Sequence, residues 1–267
     1  MPGIVKIASR DNERLKEARR VRDGKQRDKI FIEGVRLVEE AVQSELKIDC
    51  LFVSDSGAER NGDLISRSAA PEIFELSDPA FRSISDTVTS QGLVVLAERP
   101  AGGRKVIEER LSTALVPVVV FLYKTNNPSN LGAVIRTAEA AGAAGVIVSN
   151  GSADAFAPKA VRAAMGSSFR LPVWTDAEFS EAIEWADDNG FQTIATTPKA
   201  EKMHTDVDWT RRSMILFGSE AHGLPESELQ RVDDRILISM DRSVESLNLA
   251  VACGVILFEA RRQNGAG

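Results

Sequence analysis

The chain has 267 residues, which is enough for two domains, and its 43% hydrophobic and 27% charged residues are typical of a soluble protein with a sizeable core. Its formal net charge of −6 gives no general sign of nucleic-acid binding, although a local basic patch can still bind RNA. No apolar run approaches the roughly 20 residues that a membrane-spanning helix needs.

The cysteine and histidine content limits the chemistry further. Cys50, Cys253 and the two histidines are too few for a disulfide framework or a zinc site, so we expect no metal. The segment from Met1 to Lys6 lacks the apolar core of a signal peptide, so we expect a cytoplasmic protein.

A change in composition divides the chain near residue 99. Proline, two glycines and basic residues follow an apolar strand there, in the segment Arg99 to Lys105. The sequence therefore predicts an N-terminal domain at 1–98, a linker at 99–114 and a second domain at 115–267.

The N-terminal domain alternates predicted strands and helices, which indicates a small α/β layer structure. The predicted strands cover residues 30–34, 50–54, 73–76 and 93–97, and the predicted helices cover 11–22 and 35–44. The segment that contains the first helix is basic: residues 10–29 contain nine Lys or Arg against five Asp or Glu. This patch is suited to phosphate binding, and the alternative is an ordinary solvated helix face.

The second domain alternates more strictly, which predicts a mostly parallel sheet with helices on both faces. The predicted strands cover 116–122, 145–149, 191–196, 214–217 and 236–239, and the predicted helices 130–141, 158–166, 176–189 and 247–262.

The first of three motifs follows the strand 116–122 and runs from Asn127-Pro128-Ser129-Asn130 to Ala138. Asn130 is a suitable N-cap for a helix that begins at Leu131. Arg136 lies in an otherwise apolar helix, where a cation is costly unless it is paired. The residues alone leave open whether Arg136 is functional or forms a structural salt bridge.

The second motif, Leu216-Phe217-Gly218-Ser219-Glu220-Ala221-His222-Gly223-Leu224, follows the strand 214–217. Its two glycines allow a sharp turn and a close approach of a ligand to the backbone; the alternative is an ordinary tight loop. Ser219 directly follows Gly218, so the nucleophile elbow G-x-S-x-G is not met. His222 is more typical of a loop surface.

The third motif consists of Ile238-Ser239-Met240 and Glu245-Ser246-Leu247-Asn248-Leu249-Ala250. Ser246 is a candidate N-cap for the last helix. Asn248 would then be the second helical residue, where asparagine is a poor helix former, and this suggests a hydrogen-bonding role. No G-x-G-x-x-G or P-loop sequence follows a predicted strand, so a dinucleotide-type crevice is not supported.

Together and in this order, the motifs resemble those of the SpoU-type (TrmH superfamily) RNA ribose methyltransferases, over roughly residues 115–260. The segment from Phe31 to Ala41 also looks like the start of the substrate domain found in many members. The resemblance implies a deep trefoil knot, a homodimer and methyl transfer from S-adenosylmethionine to a ribose 2′-hydroxyl. The expected substrate is RNA, with ribosomal RNA favoured over transfer RNA.

The resemblance also implies a set of site residues. The polar active-site residues would be Asn130, Arg136, Glu220, Ser246 and Asn248, the cofactor-binding residues Gly218, Ile238, Met240 and Leu247, and an RNA-contacting residue Arg162. The basic patch of the N-terminal domain, and not the resemblance, adds Arg14, Arg19, Arg20 and Arg22 as candidate RNA-contacting residues. Two positions depart from the family pattern. Asn127 stands where aspartate is common, and Ser239 stands where proline is common.

The chemistry requires alignment of the ribose oxygen and help in removing its proton, because the cofactor supplies the leaving group. A free arginine is too basic to be a neutral base at pH 7, so Arg136 would need an unusual environment or would hold a phosphate and stabilise charge. Two alternatives remain: a non-catalytic RNA-binding or ribosome-assembly protein of the same fold, and a base methyltransferase. The motifs do not identify the RNA, the nucleotide, or a housekeeping or antibiotic-resistance role.

Overall fold

The computed structural model describes residues 4–7, 9–241, 244 and 246–265, and the chain forms two compact units. The N-terminal unit comprises Met1–Pro100 together with Phe156–Phe169, and the C-terminal unit comprises Ala101–Ala155 and Arg170–Gly267. The first boundary falls in the predicted linker. The segment Phe156–Phe169, which the sequence assigns to the second domain, packs instead within the N-terminal unit.

The elements before residue 100 are β1 Ile4–Ile7, α1 Glu13–Arg22, β2 Lys29–Glu33, α2 Val35–Gln43, β3 Ile48–Ser54, α3 Asp55–Arg60, α4 Gly62–Arg67, β4 Ile73–Leu76, α5 Asp78–Phe81 and β5 Leu93–Glu98. Those that follow are α6 Arg104–Leu111, β6 Val118–Leu122, α7 Pro128–Ala141, β7 Gly145–Ser149, α8 Pro158–Ala164, α9 Ser167–Arg170, β8 Val173–Ala177, α10 Phe179–Asp188, β9 Gln192–Thr196, β10 Lys202–Met203, a 3-10 turn His204–Asp206, β11 Ser213–Phe217, α11 Glu226–Leu229, β12 Asp234–Leu237 and α12 Leu249–Gln263.

The N-terminal unit is built on a five-stranded mixed sheet in the order β1-β4-β3-β5-β2. Strands β1, β4 and β3 are parallel, whereas β5 is antiparallel to both β3 and β2. Helix α1 covers one face with Leu15, Ala18 and Val21, which pack with Phe52 and other apolar residues of the sheet. This burial at helical spacing explains why so polar a segment is helical.

The C-terminal unit contains a seven-stranded sheet in the order β10-β12-β9-β11-β6-β7-β8, in which every recorded pair is parallel. The predicted α/β fold with a mostly parallel sheet is therefore confirmed. Parallel strands are typically buried on both faces, and β6, β7 and β11 are buried along their whole lengths.

Both faces of this sheet are covered by helices. On one face, α10 packs Phe179, Ile183 and Trp185 against alternate residues of β6 and β11, such as Phe121 and Met214. Alternation along a strand turns the remaining residues to the other face, where α7 contacts β7 and α12 packs on α7.

Several element boundaries differ from the predictions for local reasons. The predicted helix 176–189 begins at Phe179, because residues 173–177 form β8 on the edge of the sheet. The short strands β1 and β10 were not predicted, since four and two residues give too short a pattern to recognise. Among the described residues, no helix combines the length and apolarity needed to cross a membrane.

Candidate active site

The three motifs meet at one edge of the parallel sheet. The first follows β6, the second follows β11 and the third begins after β12, and β11 lies between β6 and β9 in the sheet. Because the strands are parallel, the loops that follow them emerge at the same edge, which is where open α/β sheets bind ligands.

Asn127, not Asn130, caps helix α7. The Asn127 Oδ1 atom accepts a hydrogen bond from the backbone N–H of Ser129 at 2.9 Å, and Pro128 occupies the first helical position. The sequence prediction of Asn130 as the N-cap is thus wrong by one turn, because asparagine three residues earlier fits the same role. The cap requires only an acceptor oxygen, so asparagine can replace the more common aspartate at position 127.

Asn130 does not cap the helix, and its side chain instead forms hydrogen bonds with residues of the other two motifs. Its Nδ2 donates to Glu220 Oε1 at 3.2 Å, and its Oδ1 accepts from Asn248 Nδ2 at 3.1 Å. These residues are 90 and 118 positions apart from Asn130 along the chain. The chain of side chains Glu220–Asn130–Asn248, here called the polar triad, therefore unites one residue from each motif.

Asn248 combines this contact with a structural role. It is the N-cap of α12, and its Oδ1 accepts from the backbone N–H of Ala250 at 2.9 Å. The prediction of Ser246 as the cap is wrong, and so is the view that Asn248 opposes its local preference, since asparagine is favoured at N-caps. Ser246 is exposed two residues earlier, and the predicted motif residue Glu245, with Arg242 and Ser243, lies outside the described residues.

Arg136 is exposed on α7 and does not contact the polar triad in the structure. Six helical residues separate it from Asn130, which places the two about 120° apart around the helix axis and about 9 Å apart along it. The structure thus corrects the expectation of a cation enclosed by apolar residues. The salt-bridge alternative has no support either, because Arg136 has no ion-pair partner within the described residues.

The Gly218–Leu224 loop closes on itself. Ser219 and Gly223 exchange backbone hydrogen bonds of 3.2 and 2.8 Å, and Gly223 has a φ of +67°. A Cβ atom at position 218 would lie 2.0 Å from the carbonyl carbon of Gly223. The glycine at 218 is therefore required by the loop's own backbone, which differs from the predicted role in ligand approach. Glu220 and His222 are exposed on this loop.

The predicted cofactor-binding residues lie at the ends of two neighbouring strands and on the third motif. Gly218 directly follows β11, Ile238 directly follows β12, and both are half-buried, as is Met240. Leu247 is 37% exposed, next to Asn248. Within the described residues, no cluster of three His, Cys, Asp or Glu side chains is arranged to hold a metal ion.

One segment of this edge, at Thr196 and Thr197, was not predicted as part of the site. Strand β9 lies between β11 and β12, and its end is tied to both: Thr196 Oγ1 donates to the carbonyl of Leu216 at 3.1 Å, and the N–H of Thr197 donates to Ile236 at 2.9 Å. The available signal was a pair of threonines and Pro198 directly after an apolar strand.

In the N-terminal unit, most of the predicted RNA-contacting arginines bind the protein itself. Arg14 forms ion pairs with Glu17 and Glu72. Burial opposes ionisation of Glu17, but hydrogen bonds from Lys29 and Arg14 outweigh it and hold the Glu17 pKa below its ordinary value. Arg20 is exposed and makes no hydrogen bond or ion pair within the described residues.

Arg19, Arg22 and Arg162 converge on one segment, residues 83–87. Arg22 Nη1 donates to the carbonyls of residues 83, 84 and 85 at 3.2–3.3 Å, and Arg19 Nη1 donates to Ser83 Oγ at 3.3 Å. Arg162 pairs with Asp86 at 2.7 Å. These arginines therefore shape a loop, and direct RNA contacts by them stay a prediction.

The carboxylate of buried Glu33 also binds this loop. Its carboxylate accepts from the backbone N–H groups of Asp86 and Thr87 and from the hydroxyls of Ser85, Thr87 and Ser90. With so many donors, a carboxylate that is only 5% exposed is well satisfied. The rigid support leaves the tip residue Val88 fully exposed.

The chain is similar to known proteins along nearly all of its length. The model of the SpoU rRNA Methylase family matches residues 117–258, and that of the MRM3-like substrate binding domain matches residues 12–95. An uncharacterized tRNA/rRNA methyltransferase of Synechocystis sp. is 30% identical, with 98% of this chain and 96% of the relative covered. The 23S rRNA (guanosine(2553)-2′-O)-methyltransferase RlmP of Bacillus subtilis is 29% identical, with 97% and 100% covered.

A solved structure shows the same similarity in three dimensions. The crystal structure of an AdoMet-bound rRNA methyltransferase from Sinorhizobium meliloti matches with a TM-score of 0.83 and 27% identity, and the match covers 97% of this chain and 98% of that one. With a family model over more than half of the chain and a 30%-identical relative along nearly all of it, the chain belongs to the SpoU rRNA methylase family.

Proposed function

We propose that this protein transfers a methyl group from S-adenosylmethionine to a ribose 2′-hydroxyl of ribosomal RNA, at the edge of the sheet where the polar triad lies. The observation that carries the proposal is that Asn130 donates a hydrogen bond to Glu220 and accepts one from Asn248, because three separate motifs thereby supply one continuous polar site. Family membership and the ribosomal RNA substrate of the Bacillus relative support it.

The strand ends beside the triad fit a cofactor with an adenosyl group and a charged amino-acid tail. Gly218, Ile238 and Met240 offer half-buried main chain and apolar side chains, and Thr197 lies between them at the end of β9. When bound, S-adenosylmethionine supplies an activated methyl group. Glu220 offers a carboxylate that can accept a proton, the amide of Asn130 orients that carboxylate, and Asn248 in turn orients Asn130.

We assign Arg136 to the substrate and not to proton removal. Its guanidinium is exposed and has no carboxylate partner within the described residues, so it is available to a phosphate. Bidentate binding of a phosphate by a guanidinium would align the ribose and stabilise developing negative charge.

We propose that the N-terminal unit selects the RNA. The match to an MRM3-like substrate binding domain over residues 12–95 supports this role. The loop 85–90 that Glu33 supports presents an exposed surface, and Arg20 on α1 adds an exposed cation that forms no ion pair within the described part of the chain.

We propose further that the protein is a homodimer that associates through α12. Val251, Val255 and Phe258 recur at i, i+4 and i+7 and are 52%, 38% and 51% exposed, while Cys253, Ile256 and Leu257 are buried. An exposed apolar stripe of this kind is typical of an interface. Phe258→Glu should therefore give a monomer in light scattering, and an unchanged dimer would contradict this interface.

A deep trefoil knot in the C-terminal unit is a further proposal. The chain leaves β12 near one edge of the sheet, and α12 then returns to pack on α7, the helix that follows β6. This return supports threading of the chain end. Pulling the protein by its two ends should give an unfolded contour length shorter than that of an unknotted chain.

The test of the function is methylation of defined RNA. Purified protein would be incubated with S-adenosylmethionine and unmodified 23S rRNA, 16S rRNA or bulk tRNA transcripts, and ribose methylation would be mapped by resistance to alkaline cleavage. We expect a single 2′-O-methylated position in ribosomal RNA, lost in Asn130→Ala. Cofactor binding without methylation of any RNA, or methylation of a base, would contradict the proposal.

A further inference from the structure

Lys124 has an unusual backbone conformation beside the candidate active site. It lies two residues after the end of β6, and its φ of +47° is in the left-handed region that glycine and asparagine favour. A long side chain contributes nothing to such a turn. A residue held in a disfavoured conformation at a site edge calls for a functional explanation of its side chain.

The turn itself is fixed by main-chain contacts. The backbone N–H of Lys124 donates to Ser149 Oγ at 2.8 Å, the N–H of Thr125 donates to Ser152 Oγ at 3.1 Å, and the two serine oxygens are 3.2 Å apart. These bonds would hold any residue type at position 124. The lysine side chain is therefore not needed to make the turn.

The side chain of Lys124 is positioned by an aromatic ring. Lys124 is exposed, and its Nζ lies 5.1 Å from the centroid of the Tyr123 ring, which in turn packs edge to face on Phe179. Within the described residues, no carboxylate pairs with Lys124. The aromatic ring thus orients the amine and leaves it accessible to a ligand.

The amine lies at the edge that carries the polar triad. Asn127 caps α7 three residues later, Asn130 follows in the first turn, and β6 lies directly beside β11, which leads into the Glu220 loop. An RNA strand that brings a ribose to Asn130 carries a phosphate on each side of that ribose. We propose that Lys124 binds a phosphate adjacent to the methylated ribose and so holds the target nucleotide in the site.

This inference rests on the proposed function, and its test compares three variants. Lys124→Gln and Lys124→Gly remove the charge, whereas Lys124→Arg keeps it. Binding to transcribed 23S rRNA would be measured over a series of salt concentrations, with KM and kcat for methylation and calorimetric affinity for S-adenosylmethionine.

We expect Gln and Gly to weaken 23S rRNA binding roughly three- to tenfold and to raise KM similarly, with kcat less affected. The slope of log affinity against log salt should fall by about 0.7 to 0.9, as for one lost phosphate contact. Arg should bind nearly as well as lysine. Lys124→Gly should not lower the melting temperature, because glycine accepts the φ of +47° without strain.

Two matched controls separate this effect from charge and backbone effects. Lys105→Gln removes the charge of an exposed lysine on α6. Glu45→Gly places glycine at another position with a positive φ, +53°. Neither should change the salt slope for rRNA. An unchanged slope in Lys124→Gln would overturn the inference, as would a lost affinity for S-adenosylmethionine, which would indicate that the amine binds the cofactor carboxylate.

A lower melting temperature with unchanged RNA affinity would likewise overturn it, by showing that the contact with Tyr123 is purely structural. If the wild type binds 23S rRNA but methylates no RNA, the proposed function fails, while the comparison of binding still tests Lys124. The two failures are therefore distinguishable.

Discussion

The cations that are candidate RNA ligands differ in their surroundings between the two units. In the N-terminal unit, Arg14, Arg22 and Arg162 are bound to carboxylates or carbonyls of the protein itself. In the C-terminal unit, Arg136 and Lys124 are exposed and have no carboxylate partner within the described residues. The number of basic residues in a segment therefore says little about which of them can reach RNA. Whether each cation already has a carboxylate or carbonyl partner in the fold is more informative.

The difference has a physical origin. The cations of α1 and their acidic partners lie on a small mixed sheet with a modest apolar core, so ion pairs take part in its packing. The C-terminal unit is held by a large parallel sheet with helices on both faces, and the exposed Lys124, just after β6, lies outside its apolar core. A cation in that position is available to a ligand.

The strongest way to sharpen this comparison is to remove Arg136. Because its side chain is exposed, Arg136→Ala should leave the melting temperature nearly unchanged. Turnover should fall roughly 10²- to 10³-fold if the guanidinium stabilises charge in the transition state. Arg136→Lys should also lose most activity, because an ammonium cannot bind a phosphate with two parallel hydrogen bonds.

Rates, melting temperatures and cofactor affinities of both variants would be measured together. Near-normal turnover by a folded Arg136→Ala protein would end the catalytic assignment. Mixing Arg136→Ala with Asn130→Ala chains adds information, because partial recovery of activity would show that Arg136 serves the site of a partner subunit in the proposed dimer.

The second prediction concerns the loop that begins at Gly218. A valine there would overlap the backbone of Gly223 and Leu224, so Gly218→Val should distort the loop and displace Glu220. We expect at least tenfold weaker S-adenosylmethionine binding, with a small decrease in melting temperature that reflects a local change. Calorimetry and thermal unfolding measure the two effects.

Gly223→Ala is a milder control. A Cβ atom at 223 meets nothing within 4 Å, although the φ of +67° disfavours alanine. Its loss of cofactor affinity should therefore be smaller than that of Gly218→Val. Equal affinities of wild type and Gly218→Val would show that this loop does not form the cofactor site.

Much of the molecule was predictable from sequence because its signals are local. Strands such as β4 and β7 were predicted with correct boundaries from apolar runs bounded by turn residues. The helix caps were predicted incorrectly. Each helix start offers two residues of a type that is common at N-caps: Asn127 and Asn130 for α7, and Ser246 and Asn248 for α12. Only the packing of the folded chain decides between them.

In the candidate site, too, the local signals were predictable and the contacts between distant residues were not. Its residues were recognised from motif resemblance, but the hydrogen bonds of Asn130 join residues about a hundred positions apart, which no local pattern encodes. The partners of Arg22 and Arg162 were also unpredictable, since Arg22 binds backbone carbonyls and Arg162 pairs with the single acidic residue of the loop 83–87, Asp86, which lies 76 positions earlier in the chain.

A third prediction tests the N-terminal half of the comparison. Arg20 and Lys25 are exposed and make no side-chain hydrogen bond or ion pair within the described residues, so Arg20→Glu with Lys25→Glu should weaken 23S rRNA binding several-fold without a change in melting temperature. Arg22→Ala should instead lower stability by about 1–2 kcal/mol, because three carbonyls lose their donor. If the double variant binds RNA with unchanged affinity and salt slope, α1 is not the RNA-binding surface.

The smallest expected effect is on stability at acid pH. It compares an ion-paired carboxylate of the N-terminal unit, Glu17, with one of the C-terminal unit, Glu259. The pKa of Glu17 is lowered by hydrogen bonds from Lys29 and Arg14, which outweigh its burial. A lowered pKa means that the unfolded state binds more protons in acid, so the stabilisation is complete above about pH 4.5 and is lost as the pH falls through the folded pKa. The hydrogen bond from Arg262 lowers the pKa of Glu259 to about 2, but Arg262 is largely exposed, so screening by solvent makes that pair weak.

Urea unfolding between pH 3 and pH 7 should therefore show two behaviours. Glu17→Gln should be less stable than the wild type at pH 7, and the two midpoints should converge as the pH falls through the lowered folded pKa of Glu17. Glu259→Gln should follow the wild-type curve closely throughout. Equal stabilities of Glu17→Gln and the wild type at pH 7 would show that the ion pairs of Glu17 do not stabilise the N-terminal unit, and that packing alone holds α1 on its sheet.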